Sequence, residues 1–117
     1  MNVEELKIYK QYVELIYYTE NILMKFPKSE RFALCTQIKN ATYDGMRSIL
    51  VSYKEYDRKN KVTALNELDI NLKMLKVIIR VSHRKKYINS GNYAAWVKKI
   101  TNITNLMAGW MSSCAKQ

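Results

Sequence analysis

The chain has little that breaks a helix. Its 117 residues include three glycines and one proline. A sheet protein needs a turn about every 8–12 residues, and turns are where glycine and proline collect. So few of them exclude a many-stranded fold and leave an all-α reading. Two cysteines, Cys35 and Cys114, are too few for a disulfide framework and point to a reduced, cytoplasmic setting. His83 is the sole histidine, and no residues stand at metal-ligand spacing. A glycine-rich phosphate loop is missing as well. Neither a catalytic residue nor a cofactor is therefore expected, and the chain does not read as an enzyme. The opening MNVEELK has no apolar core behind a basic start, so it is not a signal peptide. The longest uncharged run, residues 100–115, is sixteen residues studded with Thr, Asn and Ser. It is too short and too polar to span a bilayer.

Acids are missing from the end of the chain. All ten lie at or before Asp69. Residues 1–69 hold eleven Lys or Arg against those ten, a net of +1; residues 70–117 hold nine and no acid, a net of +9. Such asymmetry points to a polyanionic partner, most often nucleic acid and sometimes an anionic membrane surface. The plain alternative is a basic protein with no particular polyanion.

What is present is helical periodicity. Four segments emerge, at about residues 3–25, 28–55, 62–86 and 92–114, joined by short links in one domain. In the first, Leu6, Tyr9, Val13, Ile16 and Leu23 step by threes and fours. It stops before Pro27, which suits the first turn of the next helix. The second carries Cys35, Ile38, Thr42, Met46, Ile49 and Tyr53, with Gly45 in the middle to admit a neighbouring helix. Asn60 or Thr63 is the candidate cap of the third. The fourth carries Tyr93, Trp96, Ile100, Ile103, Met107, Trp110 and Cys114. Four such helices with short links make an up-down-up-down bundle.

The third helix has three faces. Leu65, Leu68, Leu72, Leu75 and Ile79 form one side. Ile70, Met74, Val77 and Val81 form a second, about 160° away at 100° per residue. A bundle needs one apolar stripe per helix, so the second marks either a subunit interface or an unusually buried helix; the interface is favoured. Between them lie Lys73, Lys76, Arg80 and Arg84, with Lys85 and Lys86 at the helix end. Lys85 and Lys86 also complement the helix dipole. Lys98 and Lys99 join the patch if the last two helices are antiparallel neighbours. A ridge of this kind neutralises phosphates and binds in a salt-dependent way. No base-reading motif accompanies it. Nine tyrosines offer stacking platforms, but Tyr9, Tyr53 and Tyr93 fall on packing stripes.

Three stretches carry a resemblance: FPKSERFALCTQI at residues 26–38, LNELDINLKMLKVIIRVS at 65–82 and NLMAGWMSS at 105–113. They resemble the accessory variability determinant proteins of diversity-generating retroelements. More distantly they resemble the small bundle proteins encoded by intervening sequences in large-subunit ribosomal RNA genes. Phe26, Pro27, Ser29, Arg31 and Phe32 are the most specific part, and Gly109 and Trp110 the next; Ala108 stands where family members often have a second glycine. The resemblance implies a four-helix bundle assembled into a basic five-membered barrel. It implies a non-catalytic role, binding a reverse transcriptase and nucleic acid (RNA, DNA or hybrid) and supporting mutagenic copying of a template repeat. Lys73, Lys76, Arg80, Arg84, Lys85, Lys86, Lys98 and Lys99 are the candidate nucleic-acid contacts, chosen from the charge pattern. The alternative reading is an oligomeric scaffold of the intervening-sequence type with protein partners only. A weaker rival, binding to an anionic membrane surface, requires a free apolar stripe beside the basic strip.

Overall fold

The computed structural model describes residues 2–115. Four helices pack as a bundle: α1 (Lys7–Leu23), α2 (Leu34–Lys54), α3 (Arg58–Arg84) and α4 (Ser90–Ala115). α1 lies against α2 and α4, and α3 against the same two. Each helix thus runs antiparallel to its chain neighbour, in a body of 46 × 25 × 22 Å. Short 3-10 turns, Val3–Glu5 and Lys28–Glu30, precede α1 and α2.

All four helix starts differ from the sequence-based expectation, and side-chain caps explain those of α3 and α4. Asn2 and Glu5 form a reciprocal capping box around the first 3-10 turn. The chain then extends at Leu6 (ψ 134°), so α1 begins at Lys7 and not at residue 3. Pro27 is extended and starts only the 3-10 turn; α2 follows at Leu34. α3 starts at Arg58, not 62, because Asp57 caps it by accepting from the Lys59 amide at 2.8 Å. Asn60 and Thr63 lie inside the helix. Asn89 likewise accepts from the Asn92 amide at 2.7 Å and moves the start of α4 back to Ser90.

α3 ends at Arg84 in a Schellman motif, with Tyr87 N–H donating to Ser82 C=O and Lys86 N–H to His83 C=O. Lys86 occupies the left-handed position of that motif (φ 64°), where glycine is usual. The strain there costs about 1 kcal/mol or more.

The core confirms the stripes of α3 and α4 and moves that of α1. Leu65, Leu68, Leu72, Leu75 and Ile79 are buried, as are Trp96, Ile100, Ile103 and Met107. On α1 the fully buried row is Ile8, Tyr12, Leu15, Thr19 and Ile22, one residue before the expected Tyr9, Val13 and Ile16, which are half-buried. Two members of the true row are polar, and each is satisfied inside. Tyr12 donates to the Thr42 carbonyl at 2.5 Å, and Thr19 accepts from the Trp96 indole at 3.1 Å. No buried side-chain nitrogen or oxygen among the described residues lacks a partner. The Tyr12 ring lies over Gly45, whose missing side chain makes the room.

Candidate nucleic-acid interface

α3 rises about 40 Å at 1.5 Å per residue and buries only the side that meets α2 and α4. Its outward face is apolar: Ile70 is 64%, Met74 47%, Val77 56% and Val81 38% exposed on the protomer. Val51 of α2 joins Ile70 in the wall of one groove between the two helices, about 640 Å³ in volume. That widens the apolar strip beyond what α3 alone suggested. Val51 is not on the packing stripe of α2, so periodicity alone does not single it out.

Beside this strip, toward α4, Lys73, Lys76, Arg80 and Arg84 occupy an arc of about 80° and a length of about 16 Å. Laid along the axis of a duplex, where one strand advances 3.4 Å per phosphate, that length spans roughly five phosphates. Lys73, Arg80 and Arg84 are exposed and Lys76 is half-buried. The members are not equivalent. Lys73 is paired with Asp69, the last acid of the chain, at 2.8 Å. Such exposed i,i+4 pairs are worth only about 0.3–0.5 kcal/mol, so a phosphate can compete for the ammonium. Lys76, Arg80 and Arg84 have no carboxylate within ion-pair distance among the described residues.

The remaining candidates scatter around this ridge. Lys85 lies 3.7 Å from Glu30 and 5.9 Å from the centre of the Tyr87 ring. Lys86 follows it in the α3–α4 link. Lys98 is exposed on α4. Lys99 turns toward α1, its ammonium 5.2 Å from the centre of the Tyr18 ring, so the groove shared with α1 and not the one with α3 holds it. The two lysines adjacent in sequence thus serve different faces.

Two tyrosines are tied to acids, Tyr43 between α1 and α2 and Tyr87 in the α3–α4 link. Tyr43 donates to Glu20 at 2.6 Å and Tyr87 to Glu30 at 2.9 Å; both hydrogen bonds hold the phenols protonated above their ordinary range. Burial pushes the Cys35 thiol up, which disfavours its thiolate. Among the described residues no group of three or more His, Cys, Asp or Glu side chains is placed to hold a metal. No helix among them is long and apolar enough to cross a membrane.

The fold and its surface define a four-helix-bundle protein whose third helix presents an apolar strip and a cationic ridge side by side. Within that class, the chain belongs to the bAvd-like family, whose family model matches residues 6–114. The resemblance drawn from residues 26–38, 65–82 and 105–113 therefore holds. Comparison with curated proteins gives no match. Among solved structures, the chain is similar to a protein of unknown function from the S23 ribosomal protein family of Bacteroides thetaiotaomicron VPI-5482. The two share 15% identity with a TM-score of 0.82, over 90% of this chain and 95% of that one. At that identity the likeness shows the fold alone.

Proposed function

We propose that this protein is a non-catalytic, oligomeric accessory factor that binds nucleic acid and a reverse transcriptase during mutagenic retrohoming. The observation that carries the reading is the pairing on α3 of an outward apolar strip with cations that lack carboxylate partners. The strip suits a second copy of the chain, and membership of the bAvd-like family favours five copies. Copies arranged around an axis would repeat the ridge and turn a weak contact into a strong one by avidity. Phosphate neutralisation by Lys76, Arg80 and Arg84 needs no sequence code and predicts steep salt dependence. The family also favours the reverse transcriptase as protein partner.

Replacing Arg80 and Arg84 together by Glu tests the ridge. Both are exposed, so helicity should be retained. Binding of an RNA–DNA hybrid in a salt titration should weaken at least tenfold, with a slope shallower by about two. Unchanged affinity would overturn the assignment.

A further inference from the structure

We propose that the corner where α3 hands over to α4 is a binding site for a phosphomonoester group, held by Lys86, His83 and Lys25. The proposal deepens the nucleic-acid reading and rests on it only for the source of the ligand. Three observations meet there.

The first is Lys86 itself. It is the one residue other than glycine with positive φ among the described residues. Glycine would close the same Schellman motif without strain. A lysine at a helix C-terminus complements the dipole, but Arg84 and Lys85 already do so from relaxed backbone. The dipole therefore does not account for a side chain kept in a strained conformation. Strain that persists is the mark of a position with work to do.

The second is where Lys86 stands. It lines a cavity of about 480 Å³ together with His83 from the last turn of α3 and Lys25 from just beyond α1. Ser90 and Asn92 of the first turn of α4 complete the polar wall. None of the eight lining residues is acidic. Lys73 and Lys85, by contrast, pair with Asp69 and Glu30, while the ridge cations Lys76, Arg80 and Arg84 share with this corner the lack of a carboxylate partner among the described residues.

The third is that two of the groups, His83 and Lys25, are held in place. The His83 ring stacks on Tyr93 at 4.5 Å between centroids and 18° between planes. Its Nε2 lies 3.4 Å from the Ser90 hydroxyl. Lys25 Nζ donates to the Asn92 side chain at 3.4 Å. A preorganised set of donors loses less freedom when a ligand arrives.

The chemistry selects the ligand. A terminal phosphate carries about −1.5 to −2 charge at pH 7 and presents three oxygens to one point. An internal phosphodiester carries a single charge and presents two. Three nitrogen-bearing side chains lining one cavity match the terminal form better than the internal one. Two sources fit, the phosphorylated end of a strand or free phosphate.

His83 is the sole histidine, so its imidazole Hε1 proton NMR signal can be assigned without ambiguity. Inorganic phosphate titrated at constant pH and ionic strength, with chloride as the control, should shift that signal to saturation. Lys86→Gly relieves the positive φ and should fold at least as well, yet lose most of the shift. A short oligonucleotide with a terminal phosphate should bind the wild type roughly tenfold more tightly than the same strand with a free hydroxyl. Lys86→Gly should bind the two alike. A phosphate shift with equal binding of both strands supports the site and assigns it to free phosphate. If neither strand binds while phosphate still shifts His83, the ridge reading fails and the site stands. A His83 signal that ignores phosphate, or that moves equally in Lys86→Gly, overturns the site.

Discussion

Replacing Gly45 by Ala is the sharpest test of the packing described above. In an exposed helix interior this change gains about 1 kcal/mol, because glycine is the poorer helix former. Here the opposite should occur. A Cβ on Gly45 would fall on the Tyr12 hydroxyl and stand 2.7 Å from Tyr12 Cζ. Tyr12 is fully buried, and its hydroxyl is committed to the Thr42 carbonyl, so the ring has no empty space to enter. Overpacking of this kind costs about 1–3 kcal/mol. Losing the buried hydrogen bond adds about 1 kcal/mol. After the helix-propensity gain the net loss should be about 2 kcal/mol. For a chain of this length that lowers the Tm by about 8 °C. Urea and thermal unfolding followed by far-ultraviolet circular dichroism, at one fixed protein concentration, measure it. Tyr12→Phe removes the overlapping atom, so the double variant should lose less than the two single losses added, by about 1 kcal/mol. A Gly45→Ala protein as stable as wild type, with additive double-variant behaviour, would refute the close approach of α1 to α2.

Further outcomes follow from the same geometry. Gly109→Ala should stabilise by about 1 kcal/mol in the same urea assay, because a Cβ there meets nothing within 4 Å. Replacing Ile70 and Val77 together by Asp should reduce the mass seen by light scattering to that of one chain while leaving helicity intact, since both are exposed on the protomer. The Tyr12 phenol is pushed well above its ordinary value of 10.0, by burial first and by Asp44 second. A raised folded value means that its contribution is complete below pH 10 and is lost as pH rises beyond it. Stability measured across that alkaline window should therefore fall more steeply in wild type than in Tyr12→Phe.

How much of this was legible in the sequence depended on which residues carried the signal. α3 and α4 showed their buried stripes because leucine, isoleucine and tryptophan mark them almost without interruption. α1 misled because Tyr12 and Thr19, the polar members of its deepest row, read as surface residues; their burial rests on partners 30 and 77 residues away. The starts of α3 and α4 were misplaced because a capping Asp or Asn and a polar first turn carry no apolar period. The pairing of Lys73 with Asp69 was open to view as an i,i+4 spacing. The turn of Lys99 toward Tyr18 was not, because it depends on which helix lies beside α4. Gly109 and Trp110 stood out only through the family resemblance; open space surrounds Gly109, and its neighbour Ala108 is exposed.

The alternating direction of the helices has a further consequence for how the molecule can be tethered. Asn2 and Ala115 emerge at the same pole, beside the α2–α3 link. The opposite pole is made of the other two links, which hold Lys25, Lys28, Arg31, Lys85 and Lys86 against Glu30. α4 alone separates the poles by about 39 Å. A label, surface linker or fused polypeptide attached at either terminus therefore hangs far from the cationic pole and leaves it free to meet an approaching strand.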